Sequence, residues 1–225
     1  KTYDLSNLTL KIENSNLDVD TLDLQTGAII LGQGSTKADS DGSIMMVGNV
    51  KTLNGCLTLE KGYLGLNVTK SVADVLEANK GVESSEDSGT PSANATVEVG
   101  SPVTIGATGQ LNFGAKPEAG TFDEGDETTA ETEDHAIGFF TDTNIVFDGK
   151  NFSSEALFSQ DRTDGNKGKV TVGEGGSINV KATNLSWGVY KLFDEDTLNT
   201  DALEGKVSID TSSGDTVSDL WRDAV

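Results

Sequence analysis

The chain is predicted to be all-β, wound as a β-solenoid with loop insertions and one or two short helices. Three observations point there. A strand–corner–strand motif appears four times. Composition favours short strands and tight corners. Helix-period patterning is confined to two brief segments. An antiparallel β-sandwich built of hairpins is the alternative, and a single segment is expected over residues 1–225.

The motif is apolar-x-apolar, a few turn residues, Gly, then apolar-x-apolar again. It occupies 22–31 (LDLQTGAIIL), 57–66 (LTLEKGYLGL), 103–113 (VTIGATGQLNF) and 170–180 (VTVGEGGSINV). The last two match at every apolar position, at both glycines, and in Thr and Asn. Period-two alternation puts one set of side chains on a buried face and the polar set outside. Gly at the corner supplies positive φ or close backbone approach without a Cβ penalty. In a solenoid each unit is two sides of a coil, and stacked coils bury a continuous interior. In a sandwich the same stretch is a hairpin, with Glu60-Lys61-Gly62 as its loop. The copies are unevenly spaced, which two insertions explain: a Ser/Glu/Gly-rich stretch at 82–95 and a densely acidic one at 115–136. Corners tolerate insertions because they project into solvent.

Two helices are expected to interrupt the strands. Ser71 can cap 72–78, with Asp74 at the third helical position and Val72, Val75 and Leu76 as the apolar stripe. A second candidate runs from Asp194 to Leu203, after which Val207 and Ile209 resume the strand pattern. The tail Val217-Ser218-Asp219-Leu220-Trp221 suits a last strand or a capping turn.

Composition narrows the chemistry. Apolar residues make up 35% of the chain and aromatics 6%, both low for a compact enzyme, while 26 glycines suit many corners. Sixteen basic against 37 acidic residues give a formal charge of −21. Such a chain repels nucleic-acid phosphates and anionic membranes. It has no apolar run near the ~18 residues of a membrane span and no signal peptide. The chain opens at Lys1-Thr2-Tyr3 without Met, which suggests a mature or excised fragment. Cys56, the one cysteine, has no internal disulfide partner and reads as a small buried hydrophobe.

Catalytic motifs are scarce. His135 is the only histidine and lies in the acidic stretch, and there is no Gly-x-Ser-x-Gly elbow, zinc ligand set or phosphate-binding Gly loop. Asp18, Asp20 and Asp23 form the one carboxylate cluster an enzyme reading can use, since glycan cleavage needs paired carboxyls, one with a raised pKa. Their alternation with Leu17, Val19 and Leu22 also fits an ordinary solvent face. Calcium is the more fitting small ligand: Asp39 and Asp41, and Asp123, Glu124, Asp126 and Glu127, offer clustered carboxylates, though neither group completes an EF-hand loop. Phe139, Phe140, Trp187 and Tyr190 are candidate binding aromatics, the latter two in the most aromatic segment of the chain, which also suits a core or capping strand. Five Asn-x-Ser/Thr triplets, at Asn7, Asn67, Asn94, Asn151 and Asn184, are expected by chance in this composition.

The four motif copies in an acidic, Cys-poor, Asn/Thr/Gly-rich chain resemble the passenger regions of bacterial autotransporters and related large repetitive adhesins. The resemblance rests on 22–31, 57–66, 103–113 and 170–180, about a fifth of the chain. It implies a right-handed parallel β-helix, export to the bacterial cell surface, and adhesion or self-association there, with no fixed catalytic residues. The expected role is therefore a non-catalytic, extracellular surface module whose loops meet a host glycan, a host protein or a second copy, without nucleic acid or membrane insertion. The alternatives are a structural stalk or surface-layer subunit without ligand, and a carbohydrate-active β-helix enzyme. The helix at 71–79 and the acidic insertion depart from a plain passenger coil.

Overall fold

The computed structural model describes residues 2–4, 7–13, 15–32, 43–79, 95–114, 142–152, 155–161, 165–173, 175–185 and 190–209. Elements are numbered in chain order. The larger sheet contains, side by side, β1 (Thr2–Asp4), β3 (Asn16–Asp23), β5 (Ile44–Val50), β7 (Tyr63–Leu66), β8 (Ala95–Val99), β11 (Thr143–Asp148), β14 (Ile178–Thr183) and β15 (Val207–Ile209). The second contains β2 (Thr9–Ile12), β4 (Ala28–Leu31), β6 (Cys56–Leu59), β10 (Gln110–Phe113) and β13 (Lys169–Val172). A third row is short: β9 (Val103–Thr104) pairs with β12 (Phe158–Ser159), and single bridges join Leu53 to Ile105 and Phe158 to Phe193.

Every pairing among the described strands is parallel. That excludes the antiparallel sandwich for this region. Glu60-Lys61-Gly62 is no hairpin loop, because β6 and β7 on either side of it belong to different sheets. Gly62 turns that corner at φ +101°, and a Cβ there would sit 2.2 Å from the Ser43 carbonyl oxygen.

Alternation sorts each strand into an inward and an outward set. In β6, Leu57 and Leu59 are buried while Cys56 and Thr58 are half-buried on the outer side. The expectation of a core Cys56 is thus corrected by strand parity. Register then stacks the inward residues into columns. One runs Leu10, Ile29, Leu57, Leu111, Val170 through the second sheet. Another runs Leu17, Met45, Leu64, Val97, Ile145, Val180, Ile209 through the first. Each fully buried member stabilises the fold by roughly 1.5–3 kcal/mol. Phe113, Phe158 and Phe193 fill the interior near the third row, with the Phe158 and Phe193 rings stacked at 5.3 Å.

Stacking also corrects how the motif copies relate. Residues 57–66 span β6 and β7, and 170–180 span β13 and β14, so both turn from the second sheet to the first. Residues 103–113 turn from the third row to the second sheet, and 22–31 from the first sheet to the second. The two most similar copies therefore occupy different corners. What does stack is Gly27, Gly55, Gly109 and Gly168, each one residue before a second-sheet strand. A Cβ on Gly55 would lie 2.2 Å from the Gly27 carbonyl oxygen, and one on Gly109 1.9 Å from that of Leu53. These glycines serve close approach of neighbouring backbones.

The first helix forms as α1 (Val72–Asn79). Ser71 N donates to Asp74 Oδ2 at 2.8 Å and Asp74 N to Ser71 Oγ at 3.3 Å, a reciprocal cap. The helix connects β7 to β8, adjacent parallel strands of one sheet, which requires a crossover. Val72 and Val75 pack with Ile44, Met46 and Val68 in a second small core on the outer face of the sheet. Leu76, expected in that stripe, is instead 45% exposed. The second predicted helix reduces to one 3-10 turn, Asp201–Leu203. Ala95, placed in the first insertion, is the buried first residue of β8; the rest of 82–95 and all of 115–136 lie outside the described residues, as does the tail at 217–221. No described helix is long and apolar enough to cross a membrane.

Candidate functional site

The Asp cluster of β3 is divided among structural tasks. Asp18 and Asp20 are exposed on the outer face, with Val19 pointing inward between them. Asp18 Oδ1 accepts the backbone N–H of Val72 at 2.9 Å, at the start of α1. Asp23 pairs with Lys51 at 2.9 Å. Asp18 and Asp20 thus lie in solvent rather than in the partly apolar setting that raises a general acid's pKa.

Of the candidate binding aromatics, Tyr190 is only 6% exposed and its ring lies 6.2 Å from that of Phe147. It belongs to the core, the alternative its aromatic segment also suited, and not to an exposed binding surface. Its neighbours Leu192 and Phe193 are buried too. Phe139, Phe140 and Trp187 lie outside the described residues, as do Asp39, Asp41, Asp123, Glu124, Asp126 and Glu127. Among the described residues, no group of three or more His, Cys, Asp or Glu is placed to hold a metal ion.

Two features missed by sequence reasoning form the most organised polar sites. The first lies where α1 meets the sheet. Glu98 Oε2 accepts the Tyr63 hydroxyl at 2.5 Å and Glu98 Oε1 accepts Lys70 Nζ at 2.6 Å. Burial, and then the Glu98 carboxylate itself, push the Tyr63 hydroxyl pKa well above its ordinary value. The available signal was Ile44-Met45-Met46-Val47, a run without alternation, which marks a strand covered on both faces.

The second is a shallow groove of about 390 Å³ on the third row, lined by Thr52, Thr104, Ile105, Gln160, Asp161 and Asn166 among others. Gln160 organises its wall. It is buried; its Oε1 accepts Gly168 N at 2.7 Å and its Nε2 donates to the Asn166 carbonyl at 2.9 Å. The groove exists because β9 and β12 are only two residues long, so the third row leaves a gap that a longer strand would fill. Hydroxyls, carboxamides and one carboxylate over an apolar floor can hydrogen-bond a neutral polar ligand. They supply no nucleophile–base pair.

Hydrogen-bonded ladders cross the outer faces. Asn112 Nδ2 donates to Thr58 Oγ1 at 3.1 Å, and Thr171 Oγ1 donates to Asn112 Oδ1 at 2.7 Å. Asn179 Nδ2 donates to Asn144 Oδ1 at 3.4 Å. They bind successive strands together from outside, as cross-strand pairs do. Comparison with known protein families, curated proteins and solved structures gives no match for this chain. The functional reading therefore rests on geometry and sequence.

Proposed function

We propose that the chain is a right-handed β-solenoid segment of a bacterial cell-surface protein, and that it acts without catalysis, in adhesion or self-association. In this reading the stacked strands are a rigid frame and the insertions present the contacts. One observation supports it above the others. Register is unbroken across both insertions: β7 and β8 pair in register on either side of 80–94, and β8 and β11 on either side of 115–141. A frame that keeps register across long excursions can carry variable loops without losing its core.

Deleting 115–136 tests the proposal. The shortened protein should keep its far-UV dichroism and cooperative unfolding while losing adhesion to host cells or binding on a glycan array. Unchanged adhesion by a folded deletion protein would overturn the role given to that loop. The acidic segments holding Asp39, Asp41, Asp123, Glu124, Asp126 and Glu127 are its calcium candidates, and a melting temperature unchanged by millimolar calcium would remove them.

A further inference from the structure

We infer that the groove beside Gln160 is a binding site for a neutral saccharide ring, formed by the frame itself and not by the insertions. The inference goes beyond the loop contacts proposed above. It stands on the chemistry of the lining, on its rigidity and on its charge. The groove encloses about 390 Å³, at the lower end of the volumes that hold small ligands. Three successive rungs of the third row supply its lining: Thr52 from the first, Thr104 to Ala107 from the second, and Gln160, Asp161 and Asn166 from the third.

Register sets Thr52 beside Thr104, one residue before the Leu53–Ile105 bridge, on rungs about 4.8 Å apart. Among the described residues, neither hydroxyl has a hydrogen-bond partner, and neither has the Asp161 carboxylate. Hydroxyls both donate and accept, a carboxylate accepts, and the Asn166 carboxamide does both. Adjacent sugar hydroxyls call for that mixture. Ile105 and Ala107 give the floor apolar atoms, which suit the C–H face of a pyranose ring. Gly106 between them keeps the gap open: a Cβ there would collide with Asn54 Oδ1 and stand 3.2 Å from the Thr52 methyl carbon.

The wall is fixed before any ligand arrives. Gln160 N donates to Thr197 Oγ1 at 3.1 Å, and the Gln160 carboxamide is tied at both ends, to Gly168 N and to the Asn166 carbonyl. A preorganised wall loses little freedom on binding. Charge then selects the ligand. The lining holds one carboxylate and no Lys, Arg or His, so an anion finds no partner and meets the chain's formal charge of −21. One carboxylate and two hydroxyls fall short of the roughly six or more oxygens that calcium takes. An extended peptide needs unpaired backbone groups, yet Leu53 N, Ile105 N and Gly106 N all donate within the stack. A neutral polyhydroxylated ring remains, and the shallow site leaves much of it in solvent, so its affinity is millimolar.

Saturation-transfer NMR titrations of the full chain test the site. The probes are the methyl glycosides of glucose, galactose, mannose and N-acetylglucosamine, with glucuronic acid as the anionic counterpart. At least one neutral glycoside should bind with a millimolar dissociation constant, and glucuronic acid should not bind. Ala107→Phe fills the groove from an exposed position and should abolish that binding. Thr104→Val deletes one hydroxyl and should weaken it roughly threefold to tenfold. Thr52→Val, with the same expected loss, replaces either variant whose circular dichroism departs from wild type. The protein lacking 115–136 should bind as wild type does. Failure of every neutral glycoside to bind overturns the inference, including the case in which 162–164 of the same chain fill the groove. Undiminished binding by folded Ala107→Phe overturns it as well, and so does glucuronic acid binding as tightly as the neutral probes. Binding lost on deleting 115–136 would assign the sugar to the loop and reject the groove, while the loop reading itself would stand.

Discussion

The backbone N–H of Val72 donates to the Asp18 carboxylate at 2.9 Å, joining the first turn of α1 to a strand 54 positions earlier. A helix start leaves unpaired N–H groups, and a carboxylate there satisfies one while complementing the helix dipole. Asp18→Ala should cost about 1 kcal/mol. The loss should be local: hydrogen exchange should speed up in 72–79 and stay slow in β11 and β14. Uniform acceleration would contradict this division.

Tyr63 gives the helix contact a pH dependence. Its hydroxyl pKa is raised in the folded protein by burial and by Glu98, so the folded state holds its proton more tightly than the unfolded chain. That stability is complete below the unfolded value of about 10 and declines as pH rises above it. Urea midpoints measured across this range should fall more steeply for wild type than for Tyr63→Phe. Parallel curves would show that Tyr63 contributes nothing to the slope.

Two glycines with similar nominal crowding should respond differently to alanine. At Gly55 the new Cβ meets the Gly27 backbone oxygen at 2.2 Å, whereas at Gly65 it meets Met46 Cε at 2.7 Å and Val68 Cγ2 at 2.8 Å. Backbone in a stacked sheet cannot give way without disturbing several strands, while a methionine side chain can change rotamer. Gly55→Ala should cost about 3 kcal/mol or more and Gly65→Ala about 1 kcal/mol, read from denaturant unfolding. Equal losses would refute the distinction.

Thr143 is the inward first residue of β11, fully buried, and among the described residues its hydroxyl has no hydrogen-bond partner. Thr143→Val keeps the shape and removes a desolvated polar group. The variant should be more stable by about 1 kcal/mol, a rise of roughly 2–4 °C in Tm for a domain of this size. A lower Tm would reveal a bonding role for the hydroxyl.

Much of the frame was legible because it is local. Leu57-Thr58-Leu59 and Val170-Thr171-Val172 announce their inward and outward faces by parity alone, and Ser71 with Asp74 announces the start of α1. The second helix does not form because a polar, capped stretch such as 194–203 suits a bend as well as a helix; there Thr197 N and Leu198 N both donate to the Asp194 carbonyl, and a lone 3-10 turn follows. The groove beside Gln160 left no sequence signal, since it comes from two short strands far apart in the chain.

Alternation, corners and close-packed glycines are written locally in the chain, because each depends on a residue and its immediate neighbours. Which corners lie above one another is settled by pairing between distant strands. Residues 103–113 and 170–180 look like equivalent turns, yet Leu111 stacks on Val170 while Val103 stacks on Phe158. Stacking is set by hydrogen bonds between strands and by how much chain each excursion consumes before rejoining the sheet. The motif, being the same at every corner, carries no mark of either. The same register puts Met45 and Val180 in one column, a relation no local pattern contains.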